Sequence, residues 1–456
     1  MLNEGGFERN EMASPGTSRR DALALGLRLV AGAGGVALAA CGAPGATSSG
    51  SAVKAPVPVL HWFGYAPPHR FGLAQQAVLD DFQARNPGRV ALEIGESGAN
   101  VALAKIKTVL AAGTQPTMWF DWQVEASDLW GLGALVDLNA ELKGNKDWAK
   151  NKADLIPTLV DGAQWKGKLT LIPMFADPNV LGFNKRLVQQ AGAALPRVAY
   201  TWDEFLDIGR KAAQPPDRVL GQFIYNWSAL QWWGFSNGQV PLSADRTKVQ
   251  YDTPAMLATL DWLHQNVMRG ILRNGPGDFD AGKTLTEVIN PGTVTPPRYP
   301  NVDPGDGSGV YVTHYPLGPN NTKKEPITAG NVFGLLVFKG SNPAAIGAAA
   351  EIAAWSVRPE VQLKMAQAST NPPSNLAAAK DPKLSTMFKD NPILKALNEQ
   401  AKYDYPTPNL LSWNKATAII DEALGRLAKG EIRPKDALVD IQSRVQPLVD
   451  QDLKAG

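Results

Sequence analysis

The sequence predicts an α/β fold in which mainly parallel sheets are flanked by helices and divided between two domains or more. Three observations predict it. Short apolar runs alternate with amphipathic stretches from Val57 onward, and strands that alternate with helices imply parallel pairing. The chain has 456 residues, 44% of them hydrophobic, which is more than one core usually organises. Helix-start signals recur along most of its length, each after a polar break.

Val57 to Trp62 reads as a buried strand, Gly72 to Arg85 as a helix and Arg89 to Ile94 as a second strand. Asn100 to Ala112 follows as a helix with Val101, Ala104, Val109 and Leu110 as its apolar residues, then Thr117 to Asp121 as a third strand. Leu169 to Pro173 and Val180 to Asn184 read as two separate strands. Thr201-Trp202-Asp203-Glu204 is a capping box, in which the threonine oxygen takes a backbone donor and the glutamate reaches back, so a helix runs to Ala213. Asp252-Thr253-Pro254, Asn342-Pro343 and Arg358-Pro359 each open a helix with proline in the first turn, where its missing donor is not needed. Gly275 to Pro326, dense in Gly, Pro, Asn and Asp, reads as irregular.

The N-terminal part has a different character. Cys41 is the only cysteine, and Leu38-Ala39-Ala40-Cys41 resembles a bacterial lipobox, in which the cysteine thiol is acylated and becomes the first mature residue. Ser18-Arg19-Arg20 followed by Ala22 to Ala40 resembles a twin-arginine export signal. Residues 1–41 are therefore expected to be an export signal, and 42–56 a Gly-, Ala-, Ser- and Pro-rich tether. Basic and acidic residues balance in the leader, so the net charge of +2 persists without it and offers no basic surface for nucleic acid. His61, His69, His264 and His314 lie at no metal-ligand spacing, and the expectation is of no metal and no cofactor.

Gly277-Asp278-Phe279-Asp280-Ala281-Gly282-Lys283-Thr284 satisfies the phosphate-loop formula. The chemistry argues against that use. Asp278 and Asp280 would put negative charge where phosphate must sit, and Ile271 to Pro276 does not read as the buried strand the loop requires. The same residues belong to a longer pattern. Lys105 to Pro116, Leu171-Ile172-Pro173, Gly182-Phe183-Asn184-Lys185, Thr201 to Phe205, Phe279 to Lys283, Lys339 to Pro343, and Lys429-Gly430 with Pro434 to Leu438 follow one another. In that order the chain resembles the family 1 extracellular solute-binding proteins of ABC importers, the group that includes sugar binders. Lys283-Thr284-Leu285 departs from the family pattern, as does Glu287 to Tyr315.

The resemblance implies a two-lobe fold resembling periplasmic binding proteins, hinged around a central cleft, with lobe I at 57–174 plus 328–382 and lobe II at 175–327 plus 383–456. Crossings are expected just after Pro173, near Thr328 and near Asp381. It implies capture of a small solute rather than catalysis, with partners in the importer's transmembrane subunits and in the membrane through lipid on Cys41. A mono- or oligosaccharide is the first ligand choice, ahead of a polyol or glycerol phosphate derivative and of a polyamine or metal chelate. A sugar needs aromatic faces and fixed carboxylates or amides. The candidates are Trp62, Phe63, Asp121, Trp122, Asp177, Asn179, Trp232, Trp233 and Asn331, while Trp202 and Trp355 are assigned to packing. A secreted carbohydrate-active enzyme and a surface adhesion lipoprotein are the competing readings.

Overall fold

Strand β1 (Val59–Phe63) buries alternate side chains, as the pleat dictates, and runs parallel to both β2 (Ala91–Ile94) and β3 (Met118–Trp122). The computed structural model describes residues 57–94, 103–275, 277–293, 302, 308–389, 391–407 and 409–455. The leader, Cys41 and the tether lie outside them. Helix α1 (Arg70–Arg85) turns Phe71, Ala74, Val78, Leu79 and Phe82 inward at helical spacing, and α2 (Leu103–Ala111) follows β2. Helix α3 (Gln123–Gly131) starts directly from the end of β3, with no intervening loop.

Short helices α4 (Leu138–Glu141), α5 (Lys146–Asn151) and α6 (Pro157–Gly162) lead to a small hairpin, β4 (Gln164–Trp165) and β5 (Lys168–Leu169). Its turn residues Lys166 and Gly167 both take positive φ. The next strand differs from expectation. Instead of two separate strands there is one, β6 (Ile172–Asn184), buried throughout. Asp177-Pro178-Asn179 is a composition that favours turns, but Asp177 is held by Arg70 and Asn179 by Asn290, and the chain stays extended.

After β6 come α7 (Lys185–Gln190) and α8 (Trp202–Ala212), the latter with its capping box formed: Glu204 N–H donates to Thr201 Oγ1 at 3.3 Å and Thr201 N–H to Glu204 Oε2 at 2.7 Å. Next are β7 (Gly221–Gln222), α9 (Trp227–Ser236), α10 (Pro254–Met268) and β8 (Leu272–Arg273). The segment expected to be irregular contains β9 (Thr286–Ile289) and β10 (Val310–Thr313), both antiparallel to β6. Strand β11 (Thr328–Val337) is followed by α11 (Pro343–Trp355), α12 (Pro359–Ser369), α13 (Leu376–Ala379), α14 (Pro382–Phe388) and α15 (Pro392–Gln400). The chain closes with β12 (Asp404–Pro406), α16 (Trp413–Ala428) and α17 (Pro434–Lys454).

The main sheet runs β10-β6-β11-β3-β1-β2, with β12 added to β11 and β9 to β6. It is mixed rather than mainly parallel, because β11 is antiparallel to both β3 and β6. Two strands belong to both halves. Residues 172–179 of β6 pair with β11 and residues 180–184 with β9 and β10, so the change of partner falls at Asn179–Val180, beyond Pro173. Residues 333–337 of β11 pair with β3, and residues 328–330 with β12. Around these strands the apolar side chains form a first core mainly from 60–176 and 332–365, with Ala401, and further clusters drawn mainly from 180–315 and 384–449. Burying such faces on either side of shared strands is what makes two bodies from one sheet.

Candidate functional site

The floor lies where β6 and β11 pass between the two bodies. Asp177 on β6 sits opposite Asn331 on β11, so both project to the same face. Asp177 is 3% exposed and its Oδ1 accepts from Arg70 Nη2 at 3.0 Å. Arg70, the first residue of α1, also donates to Asn371 Oδ1 and lies over the Phe71 ring. Asn179 accepts from Asn290 Nδ2 at 3.3 Å and donates to the Asp177 carbonyl. A side chain at Gly292 would stand 2.9 Å from Arg70 Nε, so the segment after β9 closes directly against the start of α1. Groups from both bodies thus meet on one polar floor.

The wall is the junction of β3 with α3. Asp121 Oδ1 accepts from Trp122 N–H at 2.8 Å, and Gln123 Oε1 accepts from Val332 N–H at 2.8 Å, which pins the helix start to β11. Glu125 lies in the first turn, with its Oε2 buried and without a partner. Burial, then the Glu125 charge, pushes the Asp121 carboxyl well above the usual range; burial also raises Glu125, against a hydrogen bond from the Trp122 side chain. Burial, then Asp121, raises the Tyr65 phenol. The second body comes up to this wall. Asn414 of α16 donates to Asp128 Oδ2 at 3.1 Å, and its side chain helps to hold the Glu125 pKa down. Half-buried Trp122 and Trp227 both pack against the cluster that contains Trp413, and the Trp227 and Trp413 rings meet edge to face at 5.8 Å.

The expected site residues divide. Asp121, Trp122, Asp177, Asn179 and Asn331 lie on this floor and wall. Trp62 does not present its ring: it is 2% exposed in the first core, with Nε1 donating to Gln75 Oε1 at 2.7 Å. Trp233 is 4% exposed among Phe205, Trp262 and Tyr315. Both are packing residues here, because the strand and helix periods turn them inward. Phe63 packs at the margin of the first core and Trp232 half-buried beside Tyr315. Trp202 is buried in stacking contact with Trp262, and Trp355 is buried in the first core.

Sequence reasoning missed Tyr65, Arg70, Glu125, Trp227, Asn290, Asn371 and Trp413. One signal was available: Glu125 and Arg70 flank strand ends already chosen, each at a helix start. The others are joined only by tertiary contacts.

The phosphate-formula loop is closed on itself. Lys283 Nζ pairs with Asp278 Oδ2 at 3.0 Å, and Lys283 N–H donates to the Asp278 carbonyl. Among the described residues no group of His, Cys, Asp and Glu is placed to hold a metal ion, and no helix is long and apolar enough to cross a membrane.

Comparison with known proteins bears on this geometry. Residues 77–396 match the family model of the bacterial extracellular solute-binding protein. The chain belongs to that family. No curated protein matches it. Among solved structures, the cyclic α-maltosyl-1,6-maltose binding protein from Arthrobacter globiformis superposes with a TM-score of 0.74 at 18% identity, covering 86% of this chain and 100% of the other. The sugar-binding protein MalE from Xanthomonas citri gives 0.71 at 17% identity, with 86% and 98% covered. An ABC substrate-binding protein from Listeria monocytogenes in complex with cycloalternan gives 0.70 at 16% identity, with 88% and 100% covered. The two bodies are accordingly the two lobes of a solute-binding fold, with β6 and β11 as strands shared between them.

Proposed function

We propose that this protein captures a mono- or oligosaccharide outside the cytoplasm by closing two lobes around it, and delivers it unchanged to the transmembrane subunits of an ABC importer. The lobes are 57–174 with 328–382 and 175–327 with 383–456, and lipid on Cys41 tethers the body to the membrane. The observation that carries this reading is the floor of Asp177, Asn179 and Asn331 on shared strands, together with half-buried Trp122 and Trp227, from opposite lobes, which both pack against the cluster that contains Trp413. Carboxylates and amides accept from and donate to hydroxyls, while indole faces cover the C–H patches of a sugar ring. The oligosaccharides bound by structurally similar proteins support the same class. Nothing in this scheme breaks a bond.

The test is to incubate the protein with maltose, maltotetraose and cyclic glucans, following unfolding temperature, tryptophan emission and sugar chromatography. A binder raises the unfolding temperature by mass action and returns the sugar intact. Trp122→Ala removes a stacking face worth about 1–3 kcal/mol, roughly a five- to 150-fold weaker dissociation constant. Cleaved products point to the carbohydrate-active enzyme instead, and no response to any sugar defeats the ligand class.

A further inference from the structure

Asp404 occupies the first position of β12, where a third segment joins the strands shared by the lobes. Its side chain is 0% exposed, and neither carboxyl oxygen has a hydrogen-bond partner of normal geometry. The Asp177 backbone N–H on β6 offers one weak contact against burial of the whole group. The carboxyl lies across β11 at Gly330. A Cβ on that glycine would stand 1.5 Å from Asp404 Oδ1 and 2.2 Å from its Cγ, so the absent side chain is what admits the acid. One carboxyl therefore touches all three strands.

Among the described residues, the charged groups around it do not neutralise it. On β6, Asp177 is already paired with Arg70. On α6, which donates Thr158 Oγ1 to the Asp404 carbonyl, the charged residue is Asp161, exposed and paired with Arg246. Residues 328–337 of β11 carry no ionisable side chain, and on the approach to β12 Lys402 is exposed over the Tyr403 ring. Tyr405, the next residue of β12, is itself pushed up by burial and stays neutral. Burial, then Asp177, accordingly pushes the Asp404 carboxyl well above the usual range. An ionised carboxylate without a cation is not sustained at such a position.

We propose that Asp404 is a proton-linked positioning residue of the hinge: with its carboxyl neutral the three strands pack over Gly330, and with it ionised their crossing loosens and the lobes part. This deepens the hinged-binding reading above and rests on it, since proton uptake would then favour the closed, ligand-holding form. The sign follows from the two ends of the titration. An unfolded aspartate titrates near 3.9, and the native one titrates higher. The stability that the neutral group allows is complete below the unfolded value and is lost as pH rises from there toward the native value.

The experiment uses ligand-free protein, so absence of sugar binding would sink the previous reading without touching this one. Urea unfolding and small-angle scattering are measured from pH 4.5 to 8 for the wild type and for Asp404→Asn, which keeps the shape of the neutral acid. The folding constant of the wild type should fall relative to Asp404→Asn by up to about tenfold per pH unit. The wild-type radius of gyration should grow over the same range while that of Asp404→Asn stays constant. If the amide does not fold, Asp404→Ser removes the ionisation with a smaller group and is expected to flatten both profiles. Stability profiles that run parallel would overturn the proposal. Profiles that diverge with no change in particle size would overturn its hinge half, leaving an acid that merely resists burial.

Discussion

At the residue scale, tryptophan carries two kinds of work in this chain. Trp62 and Trp233 fill cores, and alanine at either leaves a cavity that should cost about 3–5 kcal/mol in urea unfolding. Trp122, half-buried, should cost markedly less stability than these two, and equal losses at all three positions would remove it from the cleft. His314 is the second case. It is 0% exposed, with Nε2 accepting from Ala199 N–H at 2.8 Å and Nδ1 donating to the Tyr315 carbonyl at 2.6 Å, so the neutral ring satisfies both neighbours. A proton on Nε2 would face another donor. Burial, offset in part by the Tyr315 carbonyl, holds its pKa below the usual 6.5. Its contribution to stability is therefore complete above the unfolded value and lost as pH falls below it. By NMR, the carbon-bound ring protons of His314 should titrate with a midpoint below the usual 6.5, and a midpoint at or above it would contradict this placement.

At the element scale, local chemistry sets where helices begin. The α8 capping box satisfies two end donors, and Thr201→Ala should cost about 0.5–2 kcal/mol by urea unfolding without changing ligand affinity, since the cap lies outside the cleft. Proline in the first turn of α10, α11 and α12 acts in the same local way. Strand β6 shows where local chemistry stops. Asp-Pro-Asn favours a turn in isolation, yet Arg70 and Asn290, distant in sequence, hold Asp177 and Asn179 in an extended strand. The same contacts fix both side chains on a strand that the two lobes share.

At the scale of the whole molecule, the two lobes share only a few extended segments, which is the arrangement that permits hinge closure. Saturating ligand should lower the radius of gyration in solution scattering, and a tight ligand that leaves it unchanged would mean a rigid pocket. The proposed lipid anchor is tested at the same scale. Cys41→Ser should release the exported protein from the membrane fraction and abolish lipid labelling; persistent labelling would refute the lipobox reading.

What the sequence determined by itself is what short-range physics controls. Side-chain period, capping residues and proline placement are written within a few residues of where they act, so α1, α8, α10 to α12 and β1 to β3 were legible, as was the α/β class. The order of short motifs carried the family resemblance in the same way. The candidate site was only partly legible. Asp121, Trp122, Asp177, Asn179 and Asn331 stand at strand ends or on the shared strands, where chain order alone suggests a cleft. Tertiary structure decided the rest: the antiparallel turn of the sheet at β11, the single strand β6, and the burial of Trp62 and Trp233. It also brought together Arg70 with Asn371, Glu125 with Asn414 and Asp404 with Gly330. Such pairs are separated by tens to hundreds of residues, and no local propensity encodes them. They exist because burying apolar faces on both sides of shared strands brings those positions to one place, and only then do their charges and hydrogen bonds acquire partners.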